Sequence, residues 1–124
     1  MLANYTVYGS VRKPEDAERL VRELGESFQP LIFDVTDESA VRKGAEQVSK
    51  AVGDHGLDVL VNNAGVAQGG PLSHQPLAEI RRVFDVNVFG LLSVTQAFVP
   101  LLEAAGRNVG RAGRIINISS VAGR

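Results

Sequence analysis

Short apolar segments and amphipathic segments alternate along this chain, and that alternation constrains the fold more than any other feature. The apolar segments are too short for helices and rich in Val, Ile and Leu, which is typical of buried strands. They cover residues 5–11, 31–35, 57–61 and 114–118. Between them, residues 14–24, 37–52 and 77–104 carry apolar side chains at helical spacing. The pattern predicts an α/β fold, in which right-handed crossovers place helices on both faces of a parallel sheet.

Local signals predict where the helices begin and end. Pro14 suits the first position of the first helix, because its missing N–H costs nothing there, and Gly25 is a natural terminator. Thr36 is the predicted N-cap of the second helix, which Gly53 ends. Pro76 can start the third helix, and residues 106–113 read as a polar, Gly-rich connection.

The third helix, residues 77–104, is apolar on more than one side. Such a helix is expected to be buried on both sides. One side can lie on the sheet, and the other needs a further helix, a partner subunit, or both. Pro100 is expected to bend its last turns or to mark a tightening there.

Composition excludes several classes of protein. The chain has 124 residues, is 44% hydrophobic and carries a formal net charge of -1, so nothing predicts a nucleic-acid or membrane partner. No uninterrupted apolar run is long enough to span a bilayer. The chain contains no Cys, and its N-terminus does not resemble a signal peptide. We therefore expect a cytoplasmic protein with one domain, or part of one, over residues 1–124.

Polar and small residues follow the third apolar segment, which we expect to be covered on both faces of the sheet. Residues 57–65 read LDVLVNNAG, so the strand ends in Asn62 and Asn63 and then in Ala64 and Gly65. Ligands of open α/β sheets bind outside the carboxyl ends of the strands, where small residues leave room for a ligand against the backbone. The alternative is that these residues only form a tight turn.

Other strand ends carry candidate site residues with alternatives of their own. Asp34 could cap a turn, or could accept a hydrogen bond from a base edge. Arg12 precedes a helix N-terminus, where a cation opposes the helix dipole unless an anion binds there; otherwise it is a solvated surface residue. Ser119 and Ser120 follow the last strand, and we interpret them as site residues rather than turn caps.

Three further polar residues lie away from these strand ends. Asn87 stands inside the apolar third helix, so its amide pairs with backbone, with water or with a site, or is satisfied locally in a bent helix. His55 and His74 lie in polar loops and are interpreted as surface residues. No second ligand lies at useful spacing from His74, so no metal site is predicted.

The predicted topology gathers Arg12, Asp34, Asn63 and Ser120 along one rim of the sheet, and three motifs along this rim resemble a known family. They are NNAG at residues 62–65, FDVNVFG at residues 84–90 and NISSVAG at residues 117–123. The order of these motifs, their spacing and the types of element that carry them resemble those of the short-chain dehydrogenases/reductases. The resemblance implies a partial Rossmann-type doubly wound parallel sheet of about four strands with flanking helices.

The resemblance also implies a nicotinamide cofactor. Asp34 and Val35 match the strand end that contacts the adenine. Asn63, Ala64 and Gly65 match the segment that lies along the ribose of the cofactor and steadies the central sheet. Arg12 matches the variant that prefers NADP(H), so NADP is the expected cofactor and NAD the less favoured one.

The implied activity is hydride transfer between an alcohol and a carbonyl compound. Asn87 matches the active-site Asn, which kinks its helix and holds a water in a proton relay. Ser120 matches the Ser that orients the substrate oxygen. The helix at residues 77–104 matches one that forms oligomer interfaces in the family, so a homo-oligomer is expected, with a small-molecule substrate as the other partner.

Two parts of the family pattern have no match in this sequence. The family begins with a strand and a TGxxxGxG turn that binds the pyrophosphate, but only residues 1–4 precede the second-strand match here. The family's Tyr-x-x-x-Lys pair, its general acid/base and the Lys that lowers its pKa, is also absent. These residues alone are therefore expected to be catalytically incomplete.

The unmatched strand lies at the centre of the family's sheet. Without it, segments 5–11 and 57–61 either pair directly or leave unpaired edges, and marginal stability is expected. Three interpretations stay open at this stage. The sequence could be an interior portion of an NADP(H)-dependent oxidoreductase, a truncated non-catalytic member that acts as a binding or oligomerisation module, or a degraded gene product with no folded role.

Overall fold

The computed structural model describes residues 4–121, over which strands and helices alternate. The elements are β1 (Val7–Val11), α1 (Pro14–Leu24), β2 (Phe28–Ile32), α2 (Glu38–Val52), β3 (Val59–Asn62), α3 (Leu77–Phe84), a π-helical turn (Asp85–Gly90), α4 (Leu91–Val109) and β4 (Arg114–Asn117). Short 3-10 turns lie at Gly53–His55 and Leu72–His74. The strands pair in parallel, so the predicted α/β fold is confirmed.

The first two helices follow the sequence signals closely. α1 has the predicted bounds and ends at Gly25, whose φ of 80° favours glycine. The predicted N-cap of α2 is wrong by one residue, because the Asp37 side chain accepts the Ala40 N–H at 3.1 Å. Thr36 instead hydrogen-bonds to Asp34. Gly53 ends α2 as expected.

The second strand lies earlier in the chain than the predicted residues 31–35. β2 covers Phe28–Ile32 and includes Pro30, a residue that usually argues against a strand. Among residues 4–121 β2 pairs only with β1, and an outer strand tolerates a proline because one of its edges needs no partner. The other three strands differ from the predicted bounds by one or two residues at an end, within the ordinary uncertainty of such limits.

The strands form two separate two-stranded sheets. In one, Val7 lies opposite Phe28, and in the other Val59 lies opposite Arg114. Ser10 of β1 and Val61 of β3 line the same cavity, so β1 and β3 face each other with their carboxyl ends on the same side. Within residues 4–121 these two strands are not hydrogen-bonded to each other. Unpaired edges, rather than direct pairing, are therefore the outcome.

One hydrophobic core joins the two sheets. Its buried members come from β2, the residue after it, α2, β3 and α4: Leu31, Phe33, Val41, Ala45, Val48, Leu60, Val94, Phe98, Leu101 and Leu102. Val41 and Val48 of α2 are fully buried, and burying each such side chain contributes roughly 1.5–3 kcal/mol. The packing of α2 against α4 thus holds β2 and β3 in one body.

The face of the sheets that lies away from α2 and α4 is only partly covered. The crossovers from β1 to β2 and from β2 to β3 run in opposite directions, so right-handedness places α1 opposite α2. On β3, however, Val59 and Val61 stay 38% and 52% exposed while Leu60 is buried. The prediction that the third strand is covered on both faces is therefore wrong for the part of the chain described.

The predicted third helix is longer and less regular than expected. α3, the π-helical turn and α4 form one continuous helix, Leu77–Val109, which takes in part of the predicted connection at 106–113. Pro100 lies inside α4 without ending it. Over 18 residues the helix reaches a mean hydropathy of 1.6, so by length and composition it could span a membrane. Its packing is that of a core helix, because Phe98 and Leu101 are buried against α2 and β3.

The other side of this helix is open. Four large apolar side chains remain between 40% and 59% exposed: Phe84, Val88, Phe89 and Leu92. The expectation of burial on both sides is therefore wrong within residues 4–121. What the sequence correctly indicates is an apolar side that lacks a partner in this part of the chain.

Candidate functional site

The carboxyl ends of three strands meet at one small cavity. It has a volume of about 50 Å³ and is lined by Ser10, Phe33, Val35, Val61, Asn62, Asn63, Ala64, Leu91 and Val94. Of the predicted cofactor residues, Val35, Asn63 and Ala64 therefore line one cavity, whereas Arg12, Asp34 and Gly65 are not among its lining residues. Residues of β1 and β3 both line the cavity, so it marks a crevice between the carboxyl ends of these strands.

A buried hydrogen-bond network fixes the end of β3. Asn62 is 9% exposed, and its Nδ2 donates to Thr95 Oγ1 at 3.1 Å and to Asn117 Oδ1 at 2.9 Å. The Thr95 hydroxyl in turn donates to the Leu91 carbonyl at 2.8 Å. The network ties the end of β3 to α4 and β4 at the residue immediately before Asn63.

Asn62 was not among the predicted site residues, although one signal could have identified its role. It lies two residues after Leu60, and alternate residues of a strand share a face, so an inward carboxamide is expected there. Its partners are 33 and 55 residues away in sequence, and no local pattern indicates them.

Asn87 clamps the loop that follows β3. Its Oδ1 accepts the Val66 N–H and its Nδ2 donates to the Val66 carbonyl, both at 2.8 Å. A Cβ added to Gly65 would lie 3.5 Å from the same Oδ1. Of the possibilities left open for Asn87, the structure shows pairing with backbone, and it brings Asn87 against Gly65.

The helix around Asn87 is irregular. Asn87 lies in the π-helical turn Asp85–Gly90, and such turns occur frequently at functional sites. At the end of this turn, a Cβ on Gly90 would lie 2.6 Å from Val35 Cγ2. Glycine therefore allows the helix to pass closely over the residues that follow β2.

Asp34 forms the acidic part of the rim. Asp34 Oδ1 accepts the Thr36 N–H at 3.0 Å and the Thr36 hydroxyl at 2.8 Å. These two bonds lower the pKa of the Asp34 carboxyl, and burial opposes the shift. The positive charges of Arg12 and Arg82 lower this pKa further. Asp34 thus makes the predicted turn, and its surroundings favour the charged form of its carboxyl.

Ser120 is positioned through β4. The Ile118 N–H donates to the Asn62 carbonyl at 3.0 Å, which extends the pairing of the two strands beyond their assigned ends. Ser119 and Ser120 follow directly and are exposed, on the same rim as Asn63. The last residues of the NISSVAG motif, 122–123, lie outside the described residues.

The two histidines lie at the surface. His74 is exposed, as predicted. His55 is also exposed but is not merely solvated, because its Nε2 lies 3.3 Å from Asp58 Oδ2. Within residues 4–121 no group of His, Asp or Glu side chains could hold a metal ion.

Comparison with known proteins agrees with this geometry. The family model described as short chain dehydrogenase matches residues 1–124. The chain is 47% identical, over 94% of its length, to an NADPH-dependent 3-dehydrocapnine reductase of Ornithobacterium rhinotracheale. It is 40% identical, over 95% of its length, to a serine 3-dehydrogenase of Rhizobium radiobacter.

Solved structures show the same fold. An NADPH-bound carbonyl reductase from chicken fatty liver aligns with a TM-score of 0.82 and 28% identity, over 94% of this chain and 48% of that one. The chain spans 41% of the length of the Ornithobacterium relative and 45% of the Rhizobium relative. Taken with the Rossmann-type arrangement of parallel strands and the rim that carries its motifs, the family match establishes that this chain belongs to the short-chain dehydrogenases.

Proposed function

We propose that the chain forms part of an NADP(H)-dependent oxidoreductase that interconverts an alcohol and a carbonyl compound. The observation that supports this best is the convergence of Val35, Asn63 and Ala64 on one crevice at the carboxyl ends of parallel strands. The relative at 47% identity is named for NADPH-dependent reduction, and a structural neighbour binds NADPH.

The residues at the rim fit a dinucleotide. Ala64 and Gly65 are small and exposed, so a ligand can lie against their backbone. Asp34, held by Thr36, offers a second carboxylate oxygen to an adenine or a ribose. Arg12 lies close to Asp34 and provides a positive charge for a phosphate group.

We assign Ser120 and Asn87 to the part of the site where the nicotinamide of the cofactor meets the substrate. When bound, the nicotinamide supplies or accepts the hydride. Ser120 orients the oxygen of the alcohol or carbonyl group with its hydroxyl. Asn87 bonds to Val66 through both Oδ1 and Nδ2, so its role is to fix the loop beside Gly65. The second lone pair of Oδ1 and the second hydrogen of Nδ2 can hold a water.

We further propose that the protein is a cytoplasmic homo-oligomer. The exposed apolar side chains of the long helix, Phe84, Val88, Phe89 and Leu92, support self-association through that helix. A Leu92→Glu substitution is then expected to shift the full-length protein to a smaller species in sedimentation. Glu103→Lys on the polar side of the same helix is the matched control.

The cofactor assignment is tested by binding. The full-length protein is titrated with NADPH and NADH, followed by cofactor fluorescence. Arg12→Ala is expected to weaken NADPH binding about 10-fold, the loss of one charge-assisted hydrogen bond, and to change NADH binding little. Arg22→Ala, an exposed cation in the last turn of α1, is the control. Equal losses for both cofactors in Arg12→Ala would count against the phosphate role.

The catalytic assignment is tested by turnover. Substrate-dependent oxidation of NADPH by the full-length protein, against a panel of aldehydes and ketones, is expected to fall about 100-fold or more in Ser120→Ala. Cofactor affinity should stay unchanged, because Ser120 is assigned to the substrate.

The second candidate function is a non-catalytic binding or oligomerisation module. The same open helix face favours it, because it offers an apolar surface with no partner in residues 4–121. A full-length protein that binds a stable partner and does not turn over NADPH would favour this candidate. Substrate-dependent NADPH oxidation by the purified protein would exclude it.

A further inference from the structure

A chain of side-chain hydrogen bonds runs from α4 to the strand that leads to Ser120. Thr95 Oγ1 donates to the Leu91 carbonyl at 2.8 Å and accepts from Asn62 Nδ2 at 3.1 Å. The same Nδ2 donates to Asn117 Oδ1 at 2.9 Å. Asn117 lies opposite Asn62 in the register of β4 with β3, and Ser120 is three residues further on. The chain of bonds therefore ends just before the residue assigned to the substrate.

These bonds can form with one polarity only. A hydroxyl carries one hydrogen, and Thr95 gives it to Leu91, so Thr95 Oγ1 can only accept from Asn62. Asn62 must then turn its NH₂ group toward Thr95, and the second hydrogen of that group is left for Asn117. Asn117 meets this hydrogen with Oδ1. The bond therefore fixes the orientation of the Asn117 carboxamide as well as its position.

Packing restrains this end of β4 only weakly in the part of the chain described. All four residues of the strand, Arg114–Asn117, are exposed, and Ile118 after them is 56% exposed. Among residues 4–121 the strand pairs with β3 alone, and the Ile118 N–H donates to the Asn62 carbonyl at 3.0 Å. Asn62 itself is buried, so it anchors an exposed strand to the interior. The bond to Asn117 is thus a restraint that packing does not replace there.

We propose that Asn117 is a positioning residue for the reaction, because it holds β4 to the buried Asn62 amide and so sets the place of the Ser120 hydroxyl. The inference rests on the proposed function and on the role given there to Ser120. Asn117 acts through the backbone of residues 118–120 and not by touching cofactor or substrate. Turnover is sensitive to such a restraint, because a misplacement of about 1 Å can cost about 100-fold.

Asn117→Leu tests this role, because leucine keeps the approximate shape of the side chain and removes the acceptor. Turnover is measured in the full-length protein with NADPH and the aldehyde or ketone that the wild-type protein reduces fastest. We expect kcat to fall about 10-fold, while the KM for the carbonyl compound and the Kd for NADPH change less than about 2-fold. Asn117→Ala, which also removes the acceptor, should give the same result. Asn117→Asp should recover most of the lost kcat, because a carboxylate oxygen still accepts from Asn62 Nδ2.

Two comparisons separate positioning from a general loss of stability. In a Ser120→Ala background, Asn117→Leu should lower kcat less than about 2-fold, because the hydroxyl that it positions is already absent. Val48→Ala in α2 is the matched control, since it shortens a fully buried side chain of the core and lowers the thermal midpoint of unfolding. Assayed well below that midpoint, its kcat should stay within about 2-fold of the wild-type value.

Two results would overturn the role of Asn117 while the proposed function stands. One is a wild-type kcat in both Asn117→Leu and Asn117→Ala. The other is the same fold loss from Asn117→Leu with and without the Ser120 hydroxyl, which would mean that Asn117 does not act through it. A wild-type protein that reduces no aldehyde or ketone with NADPH would instead overturn the proposed function, and the role of Asn117 with it.

Discussion

The hydrogen bond between Asn62 and Thr95 allows a quantitative test of how the rim is held. Thr95→Val keeps the shape of the side chain and removes the hydroxyl that accepts from Asn62 Nδ2. Asn62 is only 9% exposed, so water has little access to the N–H that is left without a partner. An unsatisfied buried donor costs about 1–3 kcal/mol, and we expect a loss of stability in that range.

The assay is urea unfolding of the full-length protein followed by circular dichroism. With m-values of about 1–3 kcal/mol per M, the expected loss moves the midpoint of unfolding by about 1 M. Thr95→Ser keeps the hydroxyl and loses one methyl group, so it should cost no more than about 0.8 kcal/mol. The difference between the two variants isolates the hydroxyl from the volume of the side chain.

A double-mutant cycle with Asn62→Ala then measures the pair directly. Once Asn62 has lost its amide, Thr95→Val should cost less than about 0.5 kcal/mol, which corresponds to a coupling energy of about 0.5–3 kcal/mol. If Thr95→Val is as stable as Thr95→Ser, or if the two losses simply add, the bond does not stabilise the rim and the reasoning is refuted.

Three further predictions concern the loop, the helix and the carboxylate of the rim. Asn87→Leu should abolish the hydrogen-exchange protection of the Val66 amide, whereas Asn87→Asp should retain part of it, because a carboxylate still accepts that N–H but no longer donates to the carbonyl. Gly90→Ala should cost about 1–3 kcal/mol in thermal unfolding, because its Cβ meets Val35, and Val35→Ala should recover part of that loss. The pKa of Asp34 is lower in the folded protein than in the unfolded chain, so its contribution is present above the ordinary pKa of about 3.9 and is lost as the pH falls through the folded value. Asp34→Asn should therefore flatten the fall in stability below about pH 4, and an unchanged acid slope would contradict this.

The architecture could be predicted from the sequence because it depends on periodicity. Apolar runs of five residues and helical stripes indicate which segments become strands and helices, and parallel pairing then places the carboxyl ends on one edge. Asn63 and Ala64 were predicted to lie at that edge for this reason, and they line the cavity there. The position of β2 was mispredicted because Pro30 is tolerated only where a strand lacks a second neighbour, which is a property of the whole sheet.

The parts that could not be predicted depend on contacts between distant elements. Asn62 meets Thr95 only when α4 packs on β3, and Val35 meets the long helix only at Gly90, a residue 55 positions later in the chain. Asn87 makes its two bonds to Val66 from a π-helical turn, and a single polar residue in an apolar run does not indicate such a turn. In each case the residue type was visible and its partner was not.

In the part of the chain that the structure describes, the two sheets are joined by packing and not by pairing of the facing edges of β1 and β3. Within residues 4–121 no backbone hydrogen bond links the two sheets, so their separation is set by side chains at the contact of α2 with α4. A parallel strand inserted between these edges would form backbone hydrogen bonds with β1 on one side and with β3 on the other, which would join the two sheets into one. The distance between Asp34 and Asn63 across the crevice would then be fixed. Completion of the sheet would therefore determine how tightly a dinucleotide is bound between them.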